Sequence, residues 1–432
     1  MFNLIKRSLR MAKIIGKSSK KDSIIHSISL QECFVIYVQS LIIGIYILIK
    51  NSFYSVKSYI DKKFGVSKQK IIRQLNVLSS MTDKSSKNKI NGTRNYLNRS
   101  ITPGTHRSDL GQHKFIRIKQ TRFHYVEKGE KNDQVVLLLH GFPDCFYGWR
   151  NQIDVLSDQN HVIALDLKGF NNSDKPMTYC QYKPEKICYE LKCFIDALQI
   201  KSFCIIGHDI GALLGWIFTL KYPDYVNKFI SISTPHPNLF WNTAKGSKMS
   251  NYWFNMIQIP FLPEMELSKD NTFIHETYKH LIVNGSSNEI YESKQRILME
   301  TYDYVFSQYE DYSGGLHYLR NLRLCRVDES YSIRCPCILI FGTNNTNFKL
   351  DSAIRSAEYC ENPLIKIIDG AGYWPHQTHA DEINKILIKY LVGEKKNVEE
   401  IDSCSPSGSP LRKGLMSRVM DKMYSVSQQY VI

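Results

Sequence analysis

The sequence predicts an α/β fold with a mostly parallel sheet, and two observations carry that prediction. Six short apolar runs follow one another along the chain: "VVLLLHGF", "HVIALDLKGF", "FCIIGHD", "FISISTP", "CILIFGT" and "LIKIIDGAG". They lack polar alternation, which is how strands covered on both faces read, and stretches of helical period separate them. Charge bears on partners rather than on fold: residues 111–395 hold 31 Lys and Arg against 32 Asp and Glu, although the 432-residue chain carries a formal +15. A chain of this length buries a full-sized core. A neutral core leaves no basic groove, so no nucleic-acid partner is expected.

The excess charge lies at the start, where residues 1–110 hold 20 basic residues against 5 acidic ones. Residues 1–32 read as a basic segment, whose opening "MFNLIKRSLRMAKIIGK" fits a transit peptide or a cytoplasmic anchor. "CFVIYVQSLIIGIYILI", Cys33 to Ile49, is a 17-residue run without a charge, close to the length of about 20 apolar residues that spans a bilayer. No second apolar segment stands nearby to pack against it, so it reads as a single-pass transmembrane anchor rather than the helix of a small core. The endoplasmic reticulum is the expected membrane, although no residue pattern specifies the organelle. Lys50, Lys57, Lys62 and Lys63 match the basic density on the other flank, so orientation is left open. Residues 50–112 read as a basic, polar linker. Sequons at Asn91, Asn98 and Asn284 are usable only on a lumenal face.

The core is expected over residues 113–237 and 335–393, with a helical cap over 238–334 inserted between strands, where it covers the carboxyl ends of the sheet. Residues 394–432 read as a flexible tail whose closing "LMSRVMDKMYSVSQQYVI" has the period of a short amphipathic helix. The eleven cysteines show no framework spacing. Cys335 and Cys337 alternate at the start of a strand without a second ligand pair nearby, so neither zinc nor another metal or cofactor is expected.

The chemistry-bearing motif is "IIGHDIGALLGW", Ile205 to Trp216: a strand runs into G-x-D-x-G-A and a helix follows at once. This is the pattern of a nucleophile elbow, with Asp209 in the exposed position; taken alone, an ordinary turn with Asp209 as a helix N-cap fits equally. Upstream, "LLLHGFPDCFYGW" supplies an H-G-F-P turn. There the N–H of Phe142, with that of Ile210, would face the Asp209 carboxyl as an oxyanion hole. "ALDLKGFNNSDKP" adds a third block in the same order.

On these three blocks the chain from about His113 to Gly393 resembles the epoxide hydrolase branch of the α/β-hydrolase superfamily, which includes the haloalkane and fluoroacetate dehalogenases. With its N-terminal run it is most similar to the membrane-anchored epoxide hydrolase-like proteins of animals. The resemblance implies an α/β-hydrolase fold and an elbow Asp that opens an epoxide by attack on carbon. Two cap tyrosines protonate the epoxide oxygen, and a His oriented by an acid activates water to hydrolyse the ester.

Carried over residue by residue, Asp209, His140, Gly141, Phe142, Pro143, Trp149 and Asp166 occupy the positions of the nucleophile, the oxyanion turn and its support. The slot for the His in "GAGYWPH" holds Tyr373, and the slot for the acid in "GTNN" holds Asn345. Aligning "YWFNMIQIPFLPE" puts Trp253 at the first proton donor with Tyr252 adjacent; aligning "GGLHYLRN" puts Leu319 at the second with Tyr318 before it. A one-residue slip on a helix turns a side chain by about 100°, so these aromatics read as cap core. His376 is the alternative base, three residues past the slot, and His379 reads as surface. Tyr373, with an ordinary pKa near 10, is a poor base at neutral pH.

A general base is worth roughly 10²- to 10⁴-fold in rate. The expectation is therefore a membrane-anchored, epoxide hydrolase-like protein that binds a small apolar molecule, such as an epoxide, without efficient turnover. The alternatives are an active hydrolase with His376 as a rearranged base, and a non-enzymatic membrane adaptor working through its basic N-terminal segment.

Overall fold

A computed structural model describes residues 24–79, 108–131, 133–243, 248–281 and 289–392. All six apolar runs are strands. Eight strands form one sheet in the order β10-β9-β7-β6-β4-β5-β3-β2. Their bounds are β2 Gln112–Ile118, β3 Thr121–Lys128, β4 Gln134–Leu139, β5 Asn160–Leu165, β6 Phe203–His208, β7 Val226–Ile232, β9 Cys337–Gly342 and β10 Pro363–Ile368. The pairs from β10 to β5 are parallel, and the β5–β3 and β3–β2 pairs are antiparallel, so β3 runs against the rest of this sheet. The chain thus has the α/β-hydrolase fold that the motif order predicts. The runs lack alternation where helices cover both faces: β5 and β6 are buried at every position, whereas the edge strand β10 alternates and exposes Ile367.

The helix Ile210–Lys221 follows β6 in the middle of the sheet, and its residues through Leu220 are buried. Such placement requires a helix apolar all round, which "IGALLGWIFTL" supplies. Small residues let it sit close to the sheet. A Cβ on Gly211 would lie 2.2 Å from the Leu139 carbonyl oxygen, and one on Gly215 would lie 2.6 Å from the Phe229 ring.

The cap consists chiefly of helices, among them Lys248–Met256, Leu262–Leu267, Thr272–Tyr278, Glu289–Val305 and Tyr309–Arg323. The last begins with a capping box between Gln308 and Asp311. Its Arg320 is buried and forks onto both oxygens of Glu264, at 2.6 and 3.0 Å, while also donating to the Ile257 and Ile259 carbonyls. The cap is tied to the core by Tyr302, whose hydroxyl donates to Asp144 Oδ1 at 2.7 Å, and by Tyr278, whose hydroxyl donates to the Pro143 carbonyl.

The structure corrects the sequence reading at the N-terminal side. The apolar run 33–49 lies inside a single helix, Leu30–Ser79, so residues 50–79 are helical and not part of a linker. The rest of that linker up to residue 107, the three sequons and the tail from 393 lie outside the described residues. Nor is the apolar run without a packing partner, since one edge of it lies on the cap. A strand missed in the sequence, β1 (Ile25–Ser27), pairs antiparallel with β8 (Cys325–Val327) at the end of the cap. Three-residue strands leave almost no periodic signal.

The packing of the elbow helix yields a stability prediction. Gly211→Ala places a methyl against immobile backbone at Leu139, and should cost about 1–3 kcal/mol by overpacking. A lower urea midpoint with an unchanged m-value would show it.

Candidate active site

Four strand ends converge on one place. After β6 the chain turns through Asp209, whose φ of 50° and ψ of −121° lie outside the regions L-residues ordinarily occupy. The turn closes because Gly207 packs on the Ala212 backbone, with a hypothetical Cβ only 2.6 Å away. After β4, Gly141 lets the H-G-F-P turn come close: its Cβ would lie 2.5 Å from that of Asp209. The Phe142 N–H then donates to Asp209 Oδ2 at 2.8 Å. The Ile210 N–H also favours the ionised carboxylate. After β7, Thr234 accepts the Asp209 backbone N–H on Oγ1 at 2.8 Å and donates to the Ile232 carbonyl at 3.0 Å.

After β10, the turn "DGAGYW" delivers Tyr373 to the carboxylate. Its hydroxyl donates to Asp209 Oδ1 at 2.8 Å, and the Thr234 hydroxyl stands beside it. The ring edge keeps some solvent contact while the hydroxyl is enclosed. Burial, then the Asp209 charge beside it, pushes the Tyr373 hydroxyl well above its ordinary pKa, so it is a proton donor across the physiological range and not a base. Burial also raises Asp209 above its usual 3.8, opposed by the bonds from Phe142, Tyr373 and Ile210. Both carboxylate oxygens are occupied by donors of the chain itself.

The other predicted residues separate from this centre. Asn345, after β9, spends its Oδ1 on the N–H groups of Asn347 and Phe348, at 2.9 and 3.2 Å. It shapes its own loop and does not reach Tyr373. His376 is fully buried between Trp149 and His208, each ring centroid 4.6 Å from its own, and neither of its nitrogens has a hydrogen-bond partner. Burial, then the neighbouring His208 and Arg150, holds it well below the ordinary histidine range. It is a neutral core histidine without a bond to Asp209. Trp149 is fully buried beside it. His379 is half-buried, with Nδ1 2.9 Å from the Thr378 hydroxyl.

His140 lies under the oxyanion turn. Its Nδ1–H donates to the Gly141 carbonyl at 2.8 Å, and its Nε2 accepts the Leu167 N–H at 3.0 Å. Asp166 is buried with Oδ1 accepting the Phe146 N–H and Oδ2 2.6 Å from His124 Nδ1.

None of the cap candidates makes a hydrogen bond to the carboxylate. Tyr318 is buried against Phe170 and Tyr182, and its hydroxyl has no partner. Leu319 is buried and Tyr252 is exposed. Trp253 stacks on Phe273 at 5.6 Å, and Phe273 in turn lies 5.9 Å from Phe142. With Phe306 on the other side of Phe142, these rings make the roof over the carboxylate aromatic and apolar.

Two residues were missed in the sequence. Thr234 stands in "STPHP", where a hydroxyl residue at a strand end carries no signal of its own. Asp144, next to the oxyanion turn, is a buried carboxyl raised by burial to about 7, and it anchors Tyr302 of the cap. Its signal was an acidic residue inside an otherwise apolar run. Among the described residues, no group of three His, Cys, Asp or Glu side chains is placed to hold a metal ion.

Comparison with known proteins agrees with the fold. Residues 134–380 match the α/β hydrolase fold family. The chain is 33% identical to human epoxide hydrolase 4 over 297 residues, covering 66% of this chain and 81% of that protein. It is 31% identical to epoxide hydrolase 3 of Xenopus tropicalis over 288 residues, covering 65% and 78%. Among solved structures, epoxide hydrolase A from Mycobacterium thermoresistibile superposes with a TM-score of 0.56 at 25% identity, covering 65% of this chain and 98% of that one.

The buried ionisable groups predict opposite pH dependences. Asp209 has a raised folded pKa, so its contribution falls as pH climbs from its unfolded value near 3.9 through the folded one. Asp209→Asn, whose carbonyl can accept from Phe142 while its amide donates to the Tyr373 hydroxyl oxygen, removes the buried charge and should raise the denaturation midpoint at pH 8 and change it little at pH 3.5. His208 is pushed down to about 3, first by burial. Stability from its neutral burial is complete above pH ~6.5 and is lost as pH falls towards 3, with a slope approaching about 1.4 kcal/mol per pH unit. Urea titrations at a series of pH values in wild type and Asp209→Asn separate the two.

Proposed function

The chain belongs to the α/β-hydrolase fold family and to its epoxide hydrolase-like group, and from that premise we propose that Asp209 faces a small apolar electrophile, such as an epoxide, in a site that does not turn over efficiently. The observation that carries this reading is the 2.8 Å hydrogen bond from Tyr373 to Asp209 Oδ1. It has two consequences. The place from which a base would activate water is held by a phenol that stays protonated. The oxygen that would attack carbon is also tied to a donor, and a hydrogen bond to a charged group is worth about 1.5–3 kcal/mol. Releasing that oxygen slows attack by roughly 10- to 100-fold.

The cap adds to this. Without a cap tyrosine bonded near the carboxylate, an epoxide oxygen would leave unprotonated. What the site retains is a carboxylate backed by the Phe142 and Ile210 N–H groups, under a roof of Phe142, Trp253, Phe273 and Phe306. That lining favours an apolar ligand with one polarised centre. In the same reading the apolar stretch Leu30–Ser55, long and apolar enough to cross a membrane, attaches the domain to a bilayer and brings it to lipophilic ligands.

The experiment is to incubate the full chain at pH 8.5 with a styrene-oxide-type epoxide and follow diol release and intact mass together. Wild type should release no diol in a steady state. Tyr373→Phe should gain a covalent mass adduct roughly 10- to 100-fold faster than wild type, still without diol, and Asp209→Ala should gain none. Tyr373→His returns a base to that slot, so the adduct should then be released as diol. Steady diol formation by wild type that disappears in Asp209→Ala would overturn the non-turnover reading.

A further inference from the structure

The burial pattern along the N-terminal helix says how the apolar stretch meets the membrane. Cys33, Ile36, Ser40, Gly44 and Ile47 are buried, Asn51 is half-buried, and Phe34, Leu41, Ile42, Ile45, Leu48, Ile49 and Phe53 are exposed. Steps of three and four residues put the buried set on one stripe of the helix. That stripe lies on the cap along its whole length. Cys33 and Ile36 pack with Leu324, the Asn255 amide donates to Gln39 Oε1 at 3.1 Å, Gly44 faces Ile259, and the Asn51 amide donates to Glu266 Oε1 at 2.7 Å. An ion pair at 3.6 Å, Arg326 to Glu32, closes the amino-terminal end.

From Cys33 to Asn51 the stripe runs about 27 Å at 1.5 Å per residue, nearly the ~30 Å of a bilayer's hydrocarbon. A helix standing upright across the membrane in this arrangement would draw Glu266, Lys269, Arg323 and Arg326 into hydrocarbon beside it, where charges are strongly disfavoured. A helix lying flat in one leaflet draws in none of them. The cap surface next to the stripe fits the flat arrangement: Phe261, two residues from Ile259, and Met265, next to Glu266, are both exposed, as is Tyr252. At the end of the apolar face the same helix carries the exposed Lys50, suited to anionic headgroups.

Resting on the membrane reading above, we propose that residues 30–55 do not cross the bilayer but lie in the plane of one leaflet, a monotopic attachment in which the stripe grips the cap and the remaining apolar surface is immersed in lipid. The cap, with Phe261 and Met265, then faces the membrane, and both ends of the chain stay on one side of it. A re-entrant hairpin is excluded because the apolar stretch lies within one uninterrupted helix, Leu30–Ser79.

The test uses the full chain with a different epitope tag at each terminus, expressed into sealed microsomal vesicles and treated with protease with and without detergent. In-plane attachment predicts that the two tags share one fate, both cleaved or both protected before detergent. One tag protected and the other cleaved would sink the in-plane inference while leaving membrane attachment standing. Recovery of the chain in the soluble fraction, as a monomer or as a dimer covering the apolar face with a second copy, would overturn the membrane reading and this inference together.

Discussion

The site depends on one backbone constraint, the strained turn at Asp209. Its dihedral angles lie outside the regions an L-residue ordinarily adopts, a condition that costs on the order of 1–3 kcal/mol and persists only where neighbours over-determine it. Those neighbours are the close approaches at Gly141, Gly207 and Gly211, together with the Thr234 hydroxyl that receives the Asp209 N–H. The sheet supplies the frame: β4, β6 and β7 are parallel neighbours, so the turns that follow them emerge side by side. Everything chemical in the domain follows from the carboxylate being pushed out at that point.

Local patterns made most of this legible in the sequence. Six unbroken apolar runs become the inner strands and β10, and the order of the three motif blocks specifies the elbow and the turn that receives it. That Tyr373 fills the slot of a base was readable as an identity. Its hydrogen bond to the carboxylate was not, because a side-chain torsion decides whether the hydroxyl points to Asp209 or away. Asn345 illustrates the converse: its slot suggested a partner for the residue in the base position, and its amide serves its own loop instead. Thr234 has no such slot, because a hydroxyl residue after a strand is equally at home in an ordinary turn.

The N-terminal helix shows a different limit. A run of apolar residues reads as one uniform property, and the eye measures its length. The packing stripe was nevertheless written in it, since Cys33, Ser40, Gly44 and Asn51 are the small or polar members of an otherwise bulky segment. Small residues at helical spacing mark where another surface approaches closely. The short β1–β8 pair that fastens the start of this helix has no such signature, because three residues cannot establish a period.

The retained elbow and the lost base together describe a site that has become internally satisfied. A working nucleophile is kept reactive by leaving one oxygen without a fixed donor, at a cost in stability that function recovers. Here Phe142 serves one oxygen and Tyr373 the other, so the buried charge is compensated from within the chain. Any ligand that engages Asp209 must displace a tyrosine rather than enter an open position, and its binding energy is diminished by that exchange. The aromatic roof contributes affinity for apolar surface without contributing a bonded acid. On the proposed reading, the balance of the site therefore lies towards holding a ligand, and away from releasing a product.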